Sequence, residues 1–139
     1  MSDSSADRQA YALYLQATDI FNRRDYPHMA HAIALLEQAL QLDPAYARAH
    51  SRLAAVHHVI GTVDANAAAM EHSRRAMALD ASLAEPHAVQ GAIYFNQRRF
   101  AEQHAAFARA LALEPDDVSA NFWHAQALLN CGYTRRGLE

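Results

Sequence analysis

Histidine offers more chemistry than any other residue type in this sequence. There are 9. His28 and His31 stand three apart, His57 and His58 are adjacent, and His50 and His57 lie two turns apart on one helix face. Zinc needs three or four such ligands converging at about 2 Å. Neighbours on a helix point about 100° apart, so His57 and His58 do not chelate easily as a pair. The readings are a metal site or, with more support, packing and surface histidines. No metal ligand set and no cofactor are assigned.

Nucleophilic chemistry has less to build on. The serines, histidines and aspartates are scattered over different helical segments, and no Gly-x-Ser-x-Gly turn occurs. Cys131 has no base near it in sequence and sits beside Gly132, so it reads as an inert buried thiol before a reactive one or an intermolecular disulfide. Gly61, Gly91, Gly132 and Gly137 are isolated, which leaves no phosphate-cradling loop. The chain is expected to have no catalytic residues.

The charged residues point away from nucleic acid and membrane. All 12 basic residues are Arg, against 15 acidic ones, for a net charge of −3. Arg23-Arg24, Arg74-Arg75, Arg98-Arg99 and Arg135-Arg136 fall mostly near expected helix C-termini, where they suit the helix dipole. They read as a solvated face, or as docking points for an acidic partner. Arg without Lys, together with abundant Ala, fits a high-GC bacterial source. No run of 18 apolar residues occurs. Met1-Ser2-Asp3-Ser4-Ser5 lacks the order of a signal peptide. A cytoplasmic location is expected.

The elements that position these residues follow from composition. Of 139 residues, 52% are hydrophobic and 19% charged, which suits a folded chain. Ala supplies 32 residues, while Gly and Pro supply only 4 each, so the fold class is all-α. Ala39-Leu40-Gln41-Leu42-Asp43-Pro44 recurs as Ala76-Met77-Ala78-Leu79-Asp80-Ala81 and as Ala110-Leu111-Ala112-Leu113-Glu114-Pro115, at spacings of 37 and 34 residues. The third unit carries Gly91, Tyr94, Phe100, Phe107, Ala110 and Pro115. The second carries Leu53, Ala54, Ala69, Ala76 and Leu79, and the first Ala17, Ala32, Ala39 and Pro44. The second has an insertion of about three residues at Gly61-Thr62-Val63-Asp64, and the first has another at Pro27-His28-Met29.

A two-helix period near 34 resembles the tetratricopeptide repeat, TPR. Seven helices are predicted: 8–24, 29–42, 46–60, 65–79, 84–97, 101–113 and 118–131. Asp64 and Asp117 are expected N-caps, and Ser82-Leu83-Ala84-Glu85 is similar to a capping box, although Pro86 argues for a slightly later start. Residues 1–7 are an expected disordered tail. The TPR domain spans 8–131, with repeats at about 8–44, 45–81 and 82–117 and a capping helix at 118–131. Residues 132–139 form a C-terminal tail, with Leu138-Glu139 a cloning remnant or the chain a piece of a longer protein. The resemblance implies an α-solenoid wound as a right-handed superhelix, with His50, His57 and His87 where TPRs carry packing aromatics.

A narrower resemblance rests on Ala10-Tyr11, Tyr14-Leu15, Asn22-Arg23-Arg24, Ala32-Ile33, Glu37 to Pro44, Tyr46-Ala47, Leu53-Ala54, Ala78-Leu79-Asp80 and Leu83-Ala84-Glu85. The series resembles the C-terminal TPR region of bacterial adenylate cyclases and winged-helix transcriptional regulators. It implies an accessory module whose effector domain lies elsewhere.

TPR resemblance also places a ligand groove on the first helix of each pair. Its stripes are Tyr11, Tyr14, Thr18, Phe21; Arg48, Ser51, Ala55, His58; Glu85, Ala88, Ala92, Phe95; and Ser119, Phe122, Gln126, Leu129. Asn22, Asn96 and Asn130 end three of them, and Arg52 lies beside the second. Aromatics and Arg dominate binding hot spots, so a peptide or partner helix is the expected ligand, with self-association or a purely structural role as alternatives. Chaperone-binding TPRs clamp a C-terminal carboxylate with Lys, Asn and Arg. The matching places here hold Tyr14, Thr18, Arg52, Glu85 and Val89. Only Arg52 is cationic and Glu85 repels an anion, so that clamp is not expected.

Overall fold

The computed structural model describes residues 4–115. Six α-helices and one short 3₁₀ turn make up their regular structure: α1 (Ser4–Asn22), the turn (Tyr26–His28), α2 (Met29–Leu42), α3 (Ala47–Ile60), α4 (Val63–Leu79), α5 (Glu85–Asn96) and α6 (Phe100–Leu113). The seventh expected helix, Asp117 and Cys131 lie outside the described residues. No described helix is long and apolar enough to cross a membrane.

The chain divides into two compact units between Ala81 and Ser82. In the first, α1 packs on α2, α2 on α3, and α3 on α4; in the second, α5 packs on α6. The packing follows from small residues at repeating places. Ala17 and Ala54 on first helices and Ala39, Ala76 and Ala110 on second helices are completely buried. Alanine contributes little apolar area of its own, but it lets backbones approach so that larger neighbours make close contact.

Gly91 shows the tightest case. A Cβ placed there would come within 2.8–2.9 Å of three Phe107 ring carbons. Phe107 is itself fully buried, in a cluster with Ala84, Ala88, Ala92 and Ala110. The corresponding places of the other two hairpins hold Ala17 with Leu36 and Ala54 with Ser73, all fully buried. The hydroxyl of Ser73 has no hydrogen-bond partner among the described residues.

The first helix of each hairpin ends the same way. Arg24, Gly61 and Arg98 have φ of 53°, 79° and 59°, in the left-handed region. At Arg24 the chain makes a Schellman closure, with Arg24 N–H donating to Phe21 O and Asp25 N–H to Ile20 O. Arg98 N–H to Phe95 O and Arg99 N–H to Tyr94 O repeat it. Glycine fills this place without strain, and arginine does not.

Several local expectations need correction. α1 begins at Ser4, so Ser4–Asp7 are helical rather than a tail; Asp7 sits in the first turn, where its charge suits the dipole. The cap of α4 is Thr62, whose Oγ1 accepts from Ala65 N–H at 3.0 Å, and Asp64 falls in the first turn instead. α5 begins at Glu85, with Ala84 as N-cap and Pro86 in its first turn. Arg74 and Arg75 lie before the last turn of α4 and pair with Glu71. Arg99 is the N-cap of α6 and pairs with Glu102.

This packing makes two substitutions informative. Gly91→Ala is expected to lower stability by about 1–3 kcal/mol in urea denaturation, with Phe107→Leu in the same chain recovering part of the loss. Arg98→Gly is expected to raise stability by about 1 kcal/mol, read in the same assay, because it relieves a left-handed arginine.

Candidate functional site

In the first unit, α1 and α3 bring an aromatic and cationic cluster together. Tyr11 and Tyr14, three residues apart on α1, stack at 6.5 Å between ring centroids. Tyr46, the N-cap of α3, lies 5.5 Å from Tyr14. Arg52 reaches from α3 to α1. Its Cζ stands 5.0 Å from the Phe21 ring centroid and 5.8 Å from that of Tyr14, and its Nη2 donates a long 3.4 Å hydrogen bond to the Tyr14 hydroxyl. Arg24 covers Phe21 as well, at 4.3 Å, while its Nη1 donates to Phe21 O at 3.0 Å.

These contacts set the electrostatics of the face. A guanidinium over a ring keeps its charge while its plane is desolvated on one side. Burial pushes the Tyr46 phenol up to about 12; Tyr14 adds to the shift and Arg48 opposes it. Burial also pushes His58 down, with Arg24 adding to it, so the imidazole is neutral at pH 7. The Thr18 Oγ1 is buried and has no hydrogen-bond partner among the described residues.

The expected groove residues divide. Tyr11 is 51% exposed, Arg48 is exposed, and Tyr14, Thr18, Arg52 and His58 are half-buried. Phe21 does not line an open groove, because Arg24 and Arg52 cover its ring. Ser51 and Ala55 are buried too. In the second unit Ala88 and Ala92 are core residues beside Phe107, not groove lining. Phe95 is half-buried, with its ring edge-on to Phe100 at 6.4 Å. Asn22 and Asn96 are exposed final residues of α1 and α5. Phe122 and Gln126, with Ser119, Leu129 and Asn130, lie outside the described residues.

The histidines form a second feature. His72 on α4 comes between His50 and His57 of α3, with ring centroids 5.3 Å and 5.8 Å away. Helical spacing alone identifies the first pair; the third member depends on the α3–α4 packing. Among the described residues no three His, Cys, Asp or Glu side chains converge on a metal position. His28 Nδ1 instead pairs with Asp25 at 2.8 Å, and His87 is pushed down by burial and by Arg109.

Sequence reasoning missed a cleft of about 510 Å³ between α1 and α2. Gln9, Gln16, Gln38 and Gln41 line it with Ala12, Leu13 and Leu42. On α1 these residues lie about half a turn away from Tyr11, Tyr14 and Thr18. The spacing of Gln9 and Gln16 was visible in the sequence, but the partner face on α2 required the hairpin.

Known proteins share this architecture. A family profile described as a TPR repeat matches residues 30–61. None of the curated proteins matches the chain. The first TPR of Spaghetti (RPAP3), bound to the HSP90 peptide SRMEEVD, superposes with a TM-score of 0.75 at 19% identity, covering 91% of this chain and 98% of that one. The second TPR domain of human RPAP3, in complex with the HSP70 peptide SGPTIEEVD, gives a TM-score of 0.69 at 20% identity, over 88% and 97%. A thermophilic TPR protein of Thermus thermophilus gives 0.61 at 28% identity, over 86% and 59%. Residues 30–61 thus match a TPR repeat, and the described residues have the all-helical TPR fold.

Proposed function

We propose that this chain is a non-catalytic protein-interaction module that takes a peptide or partner helix on the α1–α3 face of its first unit. The observation that carries the reading is Arg52, held across Tyr14 and Phe21 beside the exposed Tyr11. Rigid aromatics and an oriented guanidinium give large contact area with little ordering cost. The RPAP3 domains that hold HSP90 and HSP70 peptides support binding by this fold. Their ligands end in a carboxylate after acidic residues. Here Tyr14, Thr18, Glu85 and Val89 occupy four of the five clamp places, so a different peptide chemistry is expected. The narrower resemblance supports an accessory role in a larger bacterial regulatory protein. A single cysteine suits the reducing cytoplasm.

The probe is a phage-displayed random peptide library panned on the whole chain, followed by fluorescence polarisation of the selected peptides. Tyr14→Ala is expected to cost about 1–3 kcal/mol in binding, roughly tenfold to a hundredfold, with an unchanged helical circular dichroism spectrum. The HSP90 peptide SRMEEVD is expected to bind more weakly than the selected peptides. Equal binding by Tyr14→Ala, or a library that yields no binder, overturns the reading. In that case, concentration-dependent mass in sedimentation would move the assignment to self-association.

A further inference from the structure

Across the α3–α4 hairpin, one imidazole of α4 meets two of α3. Helical spacing places His50 and His57 on one face of α3. α4 inserts His72 between them, parallel to His57 within 3°. His50 Nδ1 stands 3.1 Å from His72 Nδ1, and His50 Nε2 stands 3.4 Å from Pro44 O. His50 is only 6% exposed.

Proton bookkeeping in this cluster is restrictive. A carbonyl only accepts, so His50 carries a proton on Nε2. Neutral His50 then presents its Nδ1 lone pair, and His72 Nδ1–H donates to it. One added proton can reside on His72 Nε2 with that bond intact. A second, on His50 Nδ1, sets N–H against N–H. A charge on His57 faces the His72 ring directly. The unfolded chain has none of these limits and can charge all three rings.

We propose that His50, His57 and His72 act as an acid-sensitive latch on the α3–α4 hairpin, closed when the three rings are neutral and opened when they take up protons. The charged groups around the cluster come from each element packed against it. Arg75 on α4 opposes charge on His50 and His72. Glu71 on α4 and Glu37 on α2 favour charge on His72 and His57 respectively. Burial outweighs both carboxylates. It pushes His50 and His57 down, and it takes His72 to about 4, with His50, His57 and Arg75 adding to that shift.

The sign of the effect is therefore fixed. A histidine with a depressed folded value is neutral in the closed hairpin and charged in the open one. Its stabilisation is complete above pH 6.5 and is lost as pH falls from 6.5 towards 4.

The test follows histidine ring signals and α3–α4 amide hydrogen exchange by NMR from pH 7.5 to 4.5, on the whole chain and on His72→Gln. Between pH 6.5 and 4.5 the hairpin's opening constant is expected to rise roughly 40-fold more in the parent than in His72→Gln, which takes up one proton fewer on opening. In the parent, the His72 ring is expected to titrate far below 6.5. Parallel rises in the two chains, or a His72 ring that titrates near 6.5, overturn the proposal. If His72→Gln does not fold, the parent's His72 titration decides alone.

Discussion

Everything in this molecule depends on how closely helices whose buried faces are largely alanine can approach. A helix whose buried face is methyl groups gains little from burial at ordinary separation. Close approach lets backbone atoms and the few large side chains supply the dispersion contacts instead. Phe107 against Gly91 is the clearest instance, with the ring less than 3 Å from where a Cβ would stand. The same places in the other hairpins hold Ala17 with Leu36 and Ala54 with Ser73. Each hairpin thus solves one spacing problem with a different pair of volumes.

The constraint also shapes the surfaces. Because the small residues face inward, the larger aromatic and cationic side chains of α1 and α3 are left to meet one another. Tyr14, Tyr46, Phe21, Arg24 and Arg52 form a cluster in which guanidiniums lie over rings. Between α3 and α4, the place beside Ala54 holds only a serine, and three histidines gather in the same hairpin.

Periodicity made the helical order legible in the sequence. The Ala-Leu-Gln-Leu-Asp-Pro recurrence marked the ends of α2, α4 and α6, because each is followed by an Asp or Glu where the helix stops. Helix starts were less legible. Thr62 and Asp64 are both good capping residues, and only the hydrogen bond to Ala65 N–H distinguishes them. The site was legible as a stripe but not as a surface. Helical spacing put Phe21 and Ala92 in line with Tyr14 and Phe95, yet it could not show that guanidiniums would cover Phe21 or that Ala92 would face Phe107. His72 and the glutamine cleft depend on which faces of two helices meet, which one-dimensional spacing does not carry.

The left-handed residues Arg24, Gly61 and Arg98 have a consequence for how such a chain can evolve. Each reverses the chain through bonds to carbonyls of its own helix, within five residues of itself. The signal to turn back is therefore private to each hairpin. A gene segment encoding one hairpin could be duplicated, shortened or exchanged with its turning point intact. The residues beyond that point are free to vary, as the 3₁₀ turn at Tyr26–His28 and the Thr62 cap already do in two different ways.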